Sequence, residues 1–497
     1  MLLTTKDVNT LYKLFRDLDK YIGIRVKKIK ENSRNYLMKN GLDINEILSS
    51  RFIPGRIATE IKKQADLDFH IEGIIGDFVI NLFLFNNNDV RASSEQSLSQ
   101  FRSSEEDEFG STFVLSRSRS VKSETTLSSY LTGSESYEEE ETIGTETKGT
   151  ESIGTLGGAK VGKRKQFKAL NLQTFKTLQV SEGIYGEDIV NMLIDGLTFC
   201  LSCKTARRQY SVILYPSTRL KELPSVKRYE DEYIQEHNIN SGMTIVNLNA
   251  SKKSISAVVR REEMAKVFLH EIIHATLVDV NSFGYYSSDL VSLEQKIRKD
   301  LRISQATPLA IGEAATEALA EQVYLTLLSF RLPVALTGGD KRNMKAFTSY
   351  LYTLVAREIK FCRLQILKIL YFYGFRTVNE FLRATKSSRS MPKLASPTNV
   401  FGYMFMRYGL LEMFMETVRK VIQRQEEESI YNMVKRDIQL VPRLYRESYK
   451  RLIKLLKDEG GSYIADVLRP LEDEFPDIYE LSLRFLSCEG LSCWRGL

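Results

Sequence analysis

Residues 267–276, Val-Phe-Leu-His-Glu-Ile-Ile-His-Ala-Thr, constrain this chain more than any other stretch. On a helix turning about 100° per residue, His270 and His274 lie one turn apart on one face, where both imidazoles can reach a single metal ion. Glu271 falls to the side, where it can serve an attacking water, so the spacing is that of H-E-x-x-H. The chain has only four histidines in 497 residues. Random composition would place two of them around a Glu in this register on the order of a few times per thousand such chains. Val267, Phe268, Leu269, Ile272, Ile273 and Ala275 keep other charge away from the pair, and a core helix bearing a metal needs that apolar setting.

A second acidic motif follows 39 residues after His274, in Ile311-Gly312-Glu313-Ala314-Ala315-Thr316-Glu317-Ala318-Leu319-Ala320-Glu321. The glutamates recur every four residues, and the small residues between them suit close packing better than a solvated stripe. Together the two motifs resemble the zincin metallopeptidases, more narrowly the gluzincins, over roughly residues 195–330. In that family a Glu within an Asn-Glu-Gly/Ala type sequence is the third zinc ligand, and an acid four residues later supports a ligand histidine. Glu313 and Glu317 match that pattern, with Gly312 where the family often has Asn. The resemblance implies Zn2+ held by His270, His274 and Glu313, with Glu271 as general base. Glu317 is then the supporting acid or the alternative ligand. It further implies an antiparallel edge strand before the helix, to which an extended substrate peptide pairs. Thr244–Asn249 is the candidate, an ordinary core strand being the other reading of the same residues.

The remaining chain limits the setting. A hydrophobic content of 43% over this length suffices for two or three cores, and the net charge of +7 does not by itself argue for nucleic acid. Five cysteines fit a reducing compartment, and Met1 is not followed by the apolar run of a signal peptide. The apolar run 74–85 is too short to span a bilayer and contains Asp77. These features lead us to expect a soluble, cytoplasmic protein. Residues 5–50 carry apolar positions at three- and four-residue steps and are expected to be helical, and 78–85 are expected to be a strand. His70 is expected to be structural. Cys200 and Cys203 form a C-x-x-C in a stretch, Leu197–Leu201, that reads as a strand, and their side chains would then point to opposite faces, against a structural zinc.

Residues 91–165 change composition to Ser, Thr, Glu and Gly and hold a five-residue repeat, at 141–145, 146–150 and 151–155. Such a segment buries too little apolar area to offset its chain entropy, and a disordered acidic insert is expected. Its acidic excess leaves the remainder more basic than the whole. Towards the C-terminus, Arg443, Arg446, Lys450, Lys454 and Lys457 follow helical spacing opposite an apolar face of Leu444, Tyr445, Tyr449, Leu452, Leu455 and Leu456. His237, Tyr403 and Tyr408 are candidates for stabilising an oxyanion.

The expected architecture is α+β. It comprises an N-terminal helical and β region (1–90), the insert (91–165), a zincin-like core built on a small antiparallel or mixed sheet and the H-E-x-x-H helix (166–335), and a C-terminal helical region (336–497). The expected function is zinc-dependent hydrolysis of peptide bonds in a protein or peptide substrate. The competing expectation is a catalytically silent protein of the same fold, a structural or interaction protein. It would bind an anionic partner, nucleic acid or a membrane surface, through its basic C-terminal helices.

Overall fold

Alternation of β-branched and polar residues starts the fold earlier than the helical reading of 5–50 allows. In the computed structural model Ile22–Lys28 is strand β1, and Ile22, Ile24 and Val26 lie on one face with Gly23, Arg25 and Lys27 on the other. Among the described residues of that span, helix is found in two short pieces, α1 (Ser33–Lys39) and α2 (Ile44–Leu48), and α3 (Gly55–Gln64) follows it. The structure describes residues 22–50, 52–64, 66–86, 172–181, 184–203, 209–221, 223, 233–246, 254–279, 288–337, 344–387, 394–423 and 440–468. The expected insert 91–165, residues 5–21 and Asn247–Asn249 lie outside them.

Strands β2 (Asp66–Ile75) and β3 (Phe78–Asn86) form a hairpin whose turn needs the positive φ of Gly76, 56°. A short helix α4 (Leu172–Thr177) and the small pair β4 (Gln179–Ser181) and β5 (Ile184–Tyr185) precede α5 (Gly186–Cys203). Helix α5 replaces the strand expected at Leu197–Leu201. A five-residue apolar run has no period of its own, and here it is buried because α5 lies between sheet and helix. Added at Gly73 of β2, a Cβ would come within 2.7 Å of Leu193. One at Gly196 would come within 2.6 Å of Phe268 and 3.1 Å of Ile80, so glycine at both positions seats α5. Cys200 is buried in this layer.

Strand β6 (Gln209–Leu214), helix α6 (Glu236–Ile239), and strands β7 (Gly242–Ile245) and β8 (Ser254–Val258) follow. The mixed sheet has the order β1-β2-β3-β6-β8-β7: β3, β6 and β8 are parallel neighbours, and β7 closes one edge antiparallel to β8. Among the described residues the N-terminal region supplies three of the six strands of this sheet as well as α1–α3. One face of the sheet buries Phe83, Phe85, Ile213 and Val259 against Leu37, Ile47, Ile57 and Ile61 of α1–α3. The other buries Ile71, Ile80, Leu82 and Val212 with α5 and with α7 (Met264–Ala275), the helix of the histidine motif.

Beyond α8 (Ser288–Asp300), the long helices α9 (Ile311–Thr337), α10 (Met344–Phe372), α11 (Val378–Ser387), α12 (Arg407–Gln423) and α13 (Leu440–Asp458) continue the same core. Tyr445, Leu452 and Leu456 of α13 are buried, whereas Lys450 is exposed and pairs with Glu447 at 3.3 Å. No helix among the described residues is long and apolar enough to cross a membrane. His70 is structural, with Nδ1 2.8 Å from the Tyr36 hydroxyl, Nε2 3.1 Å from Asn81 Oδ1, and its ring stacked on Phe83.

Because Phe268 is fully buried between α7, α5 and the sheet, Phe268→Ala should destabilise the chain by about 3–5 kcal/mol. Urea denaturation monitored by circular dichroism measures it.

Candidate metal centre

Helix α7 is buried on nearly every side, so each charged group on it needs a partner. It begins after Glu263, which holds the left-handed φ of 59° and is gripped by Lys221, both side chains being buried. Helix α9 lies against it and presents Glu313, Glu317 and Glu321 one turn after another. Glu313 sits in the first turn of α9, where the helix dipole favours negative charge.

Of the residues singled out in the sequence, the structure brings His270, His274 and Glu313 to one point. The two Nε2 atoms are 3.0 Å apart, and Glu313 Oε2 is 3.3 Å from His274 Nε2 and 3.8 Å from His270 Nε2. One ligand atom from each residue falls within a span of 4.8 Å. Bonds of about 2.0–2.1 Å to a tetrahedral zinc would put ligand atoms about 3.3 Å apart, so two nitrogens and a carboxylate oxygen at these separations fit the ion in both donor type and distance.

The outer nitrogens are spoken for. His274 Nδ1 is 2.5 Å from Asp279 Oδ2, and His270 Nδ1 is 2.9 Å from Glu317 Oε2, a charge contact rather than an aligned hydrogen bond. A proton on each Nδ1 would leave the Nε2 lone pairs facing Glu313 for a cation. Glu317 is thereby placed behind His270 and touches Lys266 with its other oxygen.

Burial alone would lower the pKa of His274, but the Glu313 charge and the Asp279 hydrogen bond outweigh it and raise it well above the usual imidazole value. Glu313 shows the mirror effect: burial would raise it, and the two imidazoles bring it down to about 2. The same negative field that draws a proton to His274 is the field a divalent cation would enter.

Glu271 lines a cleft together with Lys266, His270, Tyr403 and Ser241. Thr244 of β7 holds it, with Oγ1 2.7 Å from Glu271 Oε2 and 2.8 Å from Ser256 Oγ, so Ser256 can donate to Thr244 and Thr244 to the carboxylate. Burial pushes the Glu271 pKa up, against the opposing pull of both histidines and Thr244. A Cβ at Gly242 would lie 2.6 Å from Glu271 Oε1 and 2.8 Å from Val267, so glycine is what lets β7 approach the helix. Strand β7 begins two residues before the stretch expected from sequence. Its position at the end of the described sheet agrees with the edge-strand reading.

Tyr403 reaches the cleft from a π-helical turn, Gly402–Met406, a distortion that often marks functional sites. Asn399 fixes this turn to α9 by accepting from Ala310 N at 2.8 Å and donating to Ala310 O at 3.0 Å, one residue before the helix begins. Burial and the nearby Glu313, Glu317 and Glu271 hold the Tyr403 phenol well above its usual pKa, so it stays a donor. Tyr408 instead donates to Glu412 at 2.7 Å, and His237 does not line the cleft.

Sequence reading missed Asp279, Thr244 and Lys266. Asp279, five residues past His274, and Lys266, the one lysine in α7 and a turn before His270, each left a signal as a charge in an apolar run. Nothing local marks Thr244. Compared with protein-family models, with curated proteins and with solved structures, the chain matches none.

Removing the acceptor behind His274, as in Asp279→Ala, should weaken zinc binding by roughly 10–100-fold. Competition with a chromophoric chelator measures the loss.

Proposed function

We propose that this chain is a zinc-dependent endopeptidase of the gluzincin type. The observation that carries the reading is the orientation of the two imidazoles. Each has its Nδ1 against a buried carboxylate, and the Nε2 atoms converge 3.0 Å apart beside Glu313. A helix that merely happened to carry two buried histidines would have no need of three carboxylates disposed in this way. His270, His274 and Glu313 would hold the ion, which when bound supplies Lewis acidity to polarise a carbonyl and acidify a water.

The remaining chemistry belongs to the chain. Glu271, aligned by Thr244, accepts the proton of the attacking water at a carboxylate oxygen and can return it to the leaving amine. Tyr403 donates its hydroxyl proton to the oxygen on which negative charge develops. The outer edge of β7 offers backbone N–H and C=O groups to an extended peptide, and this pairing is indifferent to side chains. Peptide hydrolysis needs just this set: a base, an oxyanion donor and a rail for an extended chain.

Glu271→Gln is expected to keep the zinc and lose about 10²–10⁴-fold in turnover of an unfolded protein substrate. Elemental analysis alongside the cleavage assay checks both halves, and undiminished hydrolysis would remove Glu271 from the role of base. For Tyr403→Phe the expectation is a fall in kcat of about 10²–10³-fold at nearly constant KM, measured by initial rates on a fluorogenic peptide.

A further inference from the structure

Three glutamates stand in register on α9, and the structure gives each a different counter-charge. Glu321 faces Arg407 at 3.4 Å, both fully buried. Glu317 touches Lys266, whose side chain is 1% exposed. Glu313 faces only the two imidazoles, and among the described residues no lysine or arginine is paired with it. Glu313, with its side chain 29% exposed, is the one of the three that faces the imidazoles and not a lysine or arginine, so the charge pattern leaves it to the metal.

Lys266 is central to this sorting. It precedes His270 by one turn on the same face of α7. An ammonium in a helix buried all round is expensive unless its partner is fixed, and an apolar side chain would fill the same space without that cost. Here its partner is the carboxylate whose other oxygen lies 2.9 Å from His270 Nδ1. Both oxygens of Glu317 are thus engaged, one by Lys266 and one by the outer nitrogen of a ligand ring.

Resting on the metal-site reading above, we infer that Lys266 is a positioning residue that assigns the two glutamates their separate tasks. By holding Glu317 away from the ion it keeps Glu313 as the ligand, and by locking Glu317 it fixes the ring of His270 with Nε2 towards the metal. Without the ammonium, Glu317 is free to turn to the ion or to leave His270.

The test uses the full chain and zinc alone as probe. Zinc affinity is measured by chelator competition for wild type, Lys266→Met, Lys266→Arg, Glu317→Gln and the double variant Lys266→Met/Glu317→Gln. Visible spectra of the cobalt-substituted proteins report the ligand set. Lys266→Met and Glu317→Gln should each bind zinc about 10–100-fold more weakly than wild type, and the cobalt spectrum of Lys266→Met should change. The double variant should bind no more weakly than the weaker single one, because both act through one contact. Lys266→Arg keeps the charge and should retain affinity within a few-fold and the wild-type spectrum. Wild-type affinity and spectrum in Lys266→Met, or losses that multiply in the double variant, would overturn the inference while leaving the metal site standing. Should Lys266→Met not fold, Glu317→Gln decides, since wild-type affinity there removes the link from Lys266 to His270. A wild-type chain that takes up no zinc overturns the metal-site reading and this inference with it.

Discussion

Buried charge has to be matched, and the contact between α7 and α9 is arranged around that requirement. Lys266, His270, Glu271 and His274 project from one helix, Glu313, Glu317 and Glu321 from the other, with Asp279 closing the far end. Left unmatched in a low-dielectric interior, any one of these would cost several kcal/mol. Lys266 and Arg407 offset two of the glutamates directly, and the third converges with both imidazoles on a point that suits a divalent cation. The geometry of the centre is therefore set by charge pairing within the core more than by the histidine spacing alone.

The surrounding elements hold that contact in place. Helix α5, seated by Gly73 and Gly196, packs beside α7 on the same face of the sheet. On the other, the π turn brings Tyr403 over the cleft, and Asn399 ties that turn to the residue preceding α9. The segments that carry Glu313 and Tyr403 are thereby coupled through two hydrogen bonds, although 90 residues part the two in the sequence. At the end of the described sheet, Gly242 and Thr244, two residues apart on one strand, both accommodate the Glu271 carboxylate, the first by lacking a side chain and the second by donating from its hydroxyl.

Local patterns carried the sequence reading a fair distance. The H-E-x-x-H helix, the acidic helix after it and the strand at 78–85 all stand in the structure where their periodicity placed them. Patterns without a distinct period failed: Leu197–Leu201, apolar but for Thr198, could be helix or strand, and its packing against the sheet and α7 makes it helix. Between Ile22 and Lys28 the helical expectation gave way to a strand for a related reason. Apolar residues three and four apart are frequent in any amphipathic stretch, and from Ile22 the alternating period-two pattern, paired with β2, prevails.

The sequence by itself determined the donor set, since spacing along one helix forces His270, Glu271 and His274 into a fixed relation whatever lies around them. It left open which acid completes the set, because Glu313 and Glu317 are equivalent in spacing and chemistry. Tertiary structure separates them, by placing Lys266 against Glu317 and Glu313 beside the two imidazoles. It also sets the partners of Asp279, Thr244 and Tyr403, which lie elsewhere in the chain, and such distances exist only once the helices and the sheet have packed.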